Sequence, residues 1–121
     1  MEDRIRFVDY KDKKILLEDF SNIQDEDELI NLIKAAGEIV QSQPRASVLV
    51  LVDMTNARYS PGVTQESKQV AAKNTPYIHA SSMVGVRGLM DIIIKAINTF
   101  TGRQLMVFQT REQAMEWLIK Q

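Results

Sequence analysis

The chain contains no cysteine, which excludes a disulfide framework, a thiol nucleophile and a thiolate metal site and suits a reducing compartment. Three prolines and five glycines are too few for a fibrous or disordered chain. The single histidine, His79, has no cysteine or second imidazole to share a zinc ion with. Charge of one sign is missing too. Fifteen basic residues against sixteen acidic ones leave a net charge of -1, so no global field draws the protein to nucleic acid or an anionic membrane. No apolar run approaches the roughly 18 residues of a membrane span. The opening MEDRIRFVDY lacks the basic-then-apolar order of a signal peptide. These absences predict a soluble cytoplasmic protein that is not integral to a membrane, binds no nucleic acid and carries no cofactor or metal.

What is present describes an ordinary globular domain. With 121 residues, 45% hydrophobic and 26% charged, one core over residues 1–121 is expected without staples. Ile5 and Phe7, then Ile15, Leu16 and Leu17, flank YKDKK, whose Asp12-Lys13 centre suits a short reversal and predicts a β-hairpin. Asp25 stands three residues before Glu28 in an acidic cluster, the signature of a capped helix start. Leu29, Leu32, Ile33, Ala36 and Val40 continue at helical spacing until Gln43-Pro44.

The run SVLVLV over 47–52 is continuous and β-branched, as a strand covered on both faces should be. Residues 63–74 have helical spacing at Val63, Ser67, Val70, Ala71 and Asn74, with a small, partly polar stripe. Residues 80–84 form the next strand, leading into the turn GVRG. A very apolar helix follows over 88–100, with Leu89, Ile92, Ile93, Ala96, Ile97 and Phe100 on one face. Met90 and Ile94 widen that face beyond what one sheet needs. Gly102 is its C-cap, residues 105–108 the last strand, and Thr110 with Gln113 caps the final helix, whose inward face is Ala114, Trp117 and Leu118. The order β-β-α-β-α-β-α-β-α predicts an α/β fold with a mixed, mainly parallel five-stranded sheet and an antiparallel opening edge.

SSMVGVRGLMDIIIKAINTFTGR and FQTREQAMEWL, with this element order, resemble the SpoIIAA-like family, small bacterial proteins of STAS-type fold. The resemblance extends over essentially the whole chain. It implies two functions. Anti-anti-sigma factors of this fold are partner switches with a phosphorylatable serine in Asp-Ser-Ser-Gly after the central strand. Similarity to lipid-exchange folds implies instead an apolar ligand. Asp53-Met54-Thr55 matches the strand end of the first pattern and Tyr59-Ser60-Pro61-Gly62 falls near its serine motif. One serine and the glycine remain there, while the acidic residue and second serine are absent.

Several residues have both a functional and a structural reading. Ser60-Pro61 is a phosphosite or, more simply, an N-cap followed by proline at the first helical position. Asp53, Thr55, Asn56, Arg58 and Tyr59 follow the central strand, while Gly85 and Arg87 follow the next. In open α/β sheets ligands collect beyond strand ends, and Arg87 with free helix amides suits a carboxylate or phosphate headgroup; tight-turn glycines and a surface ion pair explain the same residues. Met90 and Ile94 suit a pocket wall, ordinary core or a homodimer face. His79 suits a general base with Asp53 or a serine, against a solvated loop histidine. No nucleophile motif accompanies it.

The leading expectation is a non-catalytic module that binds a small apolar or amphipathic ligand. The alternative is a protein-interaction, partner-switching module, with a protein partner or a second copy docking on the same loop and helix.

Overall fold

The computed structural model describes residues 2–87, 90–102 and 105–121, without the side chains of residues 2, 90–93, 96 and 100. Its strands β1 (Ile5–Tyr10), β2 (Lys13–Asp19), β3 (Val48–Asp53), β4 (Ile78–Val84) and β5 (Met106–Phe108) form one sheet in the order β1-β2-β3-β4-β5. The first pair is antiparallel and the other three are parallel. The hairpin turns at Lys11 and Asp12, both in the left-handed region at φ 47° and 69°, the backbone that a twisted two-residue turn requires. This corrects the expected Asp12-Lys13 centre by one residue, because Lys13 already pairs with Tyr10.

Helices α1 (Glu26–Gln41), α2 (Pro61–Asn74), α3 (Met90–Thr101) and α4 (Arg111–Leu118) complete the expected order. Their starts follow the local chemistry. The Asp25 carboxylate accepts from the Glu28 amide at 2.8 Å, the Ser60 hydroxyl from Val63 at 3.1 Å, and the Thr110 hydroxyl from Gln113 at 3.1 Å. At the end of α3, Gly102 takes φ +73° and its amide reaches the Asn98 carbonyl at 2.9 Å, a glycine C-cap. β4 begins two residues earlier than the expected 80, since a register shift lets Ile78 pair with Val48. Pro76 is confined to the 3-10 turn before the strand.

Each parallel strand is laid beside its predecessor in the same direction, so like-handed crossovers put α1, α2 and α3 on one face. There Leu29, Leu32, Val63 and Ile94 pack on Leu16, Val48, Val50 and Met83. On the opposite face, Ala114 and Leu118 of α4 cover Ile15, Leu17, Leu49, Leu51 and Val84. Trp117 lies at the margin of that second core, its ring 5.7 Å from Phe108. Gly37 is the point of closest approach between α1 and α2: a Cβ there would stand 2.8 Å from Val70 Cγ1.

Candidate functional site

The carboxyl ends of β3 and β4, the expected ligand site, are tied to each other and to the end of β2 by the chain itself. Beyond the strands, Phe20 donates to the Asp53 carbonyl and Asn22 to the Thr55 carbonyl, each at 2.9 Å, and Met54 donates to the Val84 carbonyl at 3.0 Å. Arg58 donates its amide to the Ile23 carbonyl at 2.9 Å. Asn22 and Asn56 take left-handed backbone at φ 63° and 55°, and their side chains join at 3.1 Å. Gly85, at φ +83°, lies so close that an added Cβ would be 2.3 Å from the Thr55 nitrogen. β3 and β4 are neighbours, as the headgroup reading requires, but the strand order never reverses, so no topological switch opens a crevice between them.

Charge at these ends is used to dock α4. Arg111, at the first position of α4, donates to the Asp53 carboxylate at 2.8 Å and stands 3.3 Å from the Asp19 carboxylate. Asp53 is buried and also accepts from the Thr55 amide at 2.9 Å. Burial pushes the Asp19 carboxyl up, but the Ser21 hydroxyl and amide it accepts from, with Arg111 and Arg4 beside it, hold it below the ordinary carboxylate range. Burial opposes the Arg111 charge, and Asp53 and Asp19 outweigh it, raising its pKa.

Space for a ligand lies instead between the sheet and the three-helix layer, in a cavity of about 100 Å³. Its cause is the small stripe of α2. Thr64, Ser67, Ala71 and Asn74 share one face and line the cavity, where a packed helix would carry leucine or isoleucine. Opposite them the sheet contributes Glu18, Val50, Val52, Ser81 and Met83. Ile33 of α1, and Ile94 with Ile97 of α3, close the sides.

Two polar groups matter most. Glu18 lies on the inward row of β2 with Leu16 and is 7% exposed. Both Glu18 and Ser81 have partners of their own. The Tyr59 hydroxyl is buried and has no hydrogen-bond partner among the described residues. Burial pushes this phenol far above its usual range, so it stays neutral and can donate or accept.

The residues marked in the sequence therefore divide. Tyr59 and Ile94 line the cavity. Ile94 is buried, so it does not offer an exposed docking face. Asp53 belongs to the α4 clasp, Ser60 to the α2 cap and Gly85 to the seal at Thr55. Thr55, Asn56, Arg58 and Arg87 have exposed side chains. Gly88, Leu89 and the Met90 side chain lie outside the described residues. His79 is exposed near the amino end of β4, whereas Asp53 pairs with Val84 at the carboxyl end, so the fold does not bring that acid–base pair together. No group of three acidic or imidazole side chains converges among the described residues, and none of the helices there is long and apolar enough to cross a membrane.

Sequence reasoning missed Glu18. Its signal was parity: two residues after Leu16, it falls on the same sheet face once the strand extends to Asp19. The small stripe of α2 was visible, but its meaning as unfilled volume was not.

No protein-family model and no curated protein matches the chain. The fold is similar to the crystal structure of an uncharacterised DUF3478-family protein with a SpoIIAA-like fold from Shewanella loihica PV-4. The TM-score is 0.71 at 15% identity, covering 94% of this chain and 91% of that one. The architecture is thus SpoIIAA-like, as the sequence resemblance implied, and function must be argued from the site.

Proposed function

We propose that the protein is a non-catalytic binding module for a small amphipathic molecule held between the sheet and α1–α3. One observation carries this: an apolar-walled cavity of about 100 Å³ between the sheet and the helices, with Tyr59 among its lining residues. An apolar cavity of about 150 Å³ accepts benzene, so the guest's apolar body is about four to six carbons rather than a long acyl chain. Ser60 has a structural use in the fold, its hydroxyl accepting from the Val63 amide at 3.1 Å as the cap of α2.

Native mass spectrometry followed by denaturing extraction tests the proposal. A reproducible small adduct is expected in the wild type and its loss in Ser67→Leu, which fills the space from α2 while leaving the cap and clasp intact. An adduct retained by a folded Ser67→Leu protein would place binding elsewhere.

A further inference from the structure

The large hydrophobic side chains that stand exposed among the described residues, Phe7, Met106 and Val107, all lie on β1 and β5, the two outer strands of the sheet. β5 is only three residues long, whereas β1 runs for six, and an outer strand of that length is a template for a further strand. Its bonding pattern follows from the hairpin. Tyr10 and Lys13 flank a two-residue turn whose central residues are both left-handed, so they are the closing hydrogen-bonded pair. Alternation along the antiparallel ladder then directs Val8 and Arg6 to β2 as well. The amides and carbonyls of Ile5, Phe7 and Asp9 therefore point to the open side.

Three outward residues spaced evenly about Phe7 are self-complementary. A second β1, turned about a two-fold axis through Phe7 and perpendicular to the sheet, sets Phe7 against Phe7 and Ile5 against Asp9 on either side. Each of these pairs can exchange two hydrogen bonds. The side chains agree with that register. Phe7, 40% exposed, is covered by its own counterpart. Arg6 shares the other face of the strand with Val8 and Tyr10, which pack against the core beneath α4. In the second copy it falls opposite Val8 and diagonal to Tyr10, within reach of a long side chain. There the Tyr10 hydroxyl donates to the Glu116 carboxylate at 2.7 Å, and Glu112 stands one helical turn before Glu116 on α4. Within its own chain the exposed Arg6 guanidinium reaches the Asp3 carbonyl, a neutral acceptor. The two-fold axis thus brings the Arg6 of each copy to acidic side chains of the other, and a net charge of -1 opposes the approach little.

We propose that two copies of this chain associate through β1, antiparallel about Phe7, joining their sheets into one. Six residues a side make a small contact against the roughly 1,200–2,000 Å² of a stable interface, so the dimer is a weak one, with a dissociation constant on the order of tens of micromolar. None of the described residues that line the cavity belongs to β1, so this association and ligand binding stand or fall separately.

Sedimentation velocity over a concentration series tests the proposal, with amide exchange followed by nuclear magnetic resonance at both ends of the series. A monomer–dimer equilibrium is expected, and the Ile5, Phe7 and Asp9 amides should gain protection as the dimer forms. Phe7→Lys, at an exposed position, should weaken the dimer at least about tenfold. Arg6→Glu should weaken it too, and adding Glu112→Arg to that variant should recover part of the loss, because each cross-copy pair is then reversed in sign. A protein that stays monomeric up to about 0.5 mM would overturn the proposal and leave the edge to a strand of another protein. A dimer indifferent to Phe7→Lys would overturn it by placing the interface elsewhere. A double variant no better than Arg6→Glu would overturn the register about Phe7.

Discussion

Tyr59 shows how much a single buried atom weighs on stability. Its ring packs against the core, while its hydroxyl is buried without a partner among the described residues. A buried hydroxyl left unsatisfied costs about 1–3 kcal/mol, so Tyr59→Phe should raise the stability of the ligand-free protein by about 1 kcal/mol in urea unfolding. A loss of stability instead would mean that the hydroxyl is satisfied in the empty protein. Gly85 behaves oppositely. It combines φ +83° with a Cβ position that would meet the Thr55 backbone, and neither can be relieved by a rotamer change. Gly85→Ala should therefore destabilise by about 2 kcal/mol or more, visible as a lower urea midpoint with an unchanged slope.

Among the elements, α2 matters most for the proposed binding although its helical apolar periodicity is the weakest of the four helices. Only Val63 and Asn74 are buried along its 14 residues, and its small inward face leaves volume that larger side chains would fill. What holds α2 is its capped start and its contact with α1. At the crossing, Gly37 brings the helices close against Val70, and Gln41 donates to Asn74 at 2.9 Å. Gly37→Leu must push α2 outward, so a loss of about 1–3 kcal/mol is expected, measured by thermal or urea unfolding. The same variant should weaken ligand binding in the cavity, since one wall moves. A Gly37→Leu protein of wild-type stability would show that the helices yield at no cost.

For the whole molecule, the Arg111 clasp ties the carboxy-terminal α4 to the ends of β2 and β3. Asp19 has a folded pKa below the ordinary aspartate value of 3.8, so the unfolded chain takes up its proton first as pH falls. Its contribution is complete above that value and is lost as pH drops through the lower folded value. Between about pH 5 and pH 2, stability should decline, and Asp19→Asn should flatten part of that decline in urea titrations. An unchanged slope in the variant would assign the acid sensitivity to other carboxyls. The order of elements, the caps at Asp25, Ser60 and Thr110, the Gly102 stop and the mixed sheet were all legible in the sequence. Each depends on neighbours a few residues apart or on the period of apolar side chains, which local physics dictates. The candidate site was legible only in part. Tyr59 and Ile94 were marked, but Glu18 was not, and Asp53 proved to be a partner of Arg111 from 58 residues further along the chain. The place of the cavity follows from strand order, helix layering and the opposition of α2's small residues to Ser81 and Met83. Those are long-range facts of packing, and only the tertiary structure decides where side chains from six separate elements leave a space unfilled.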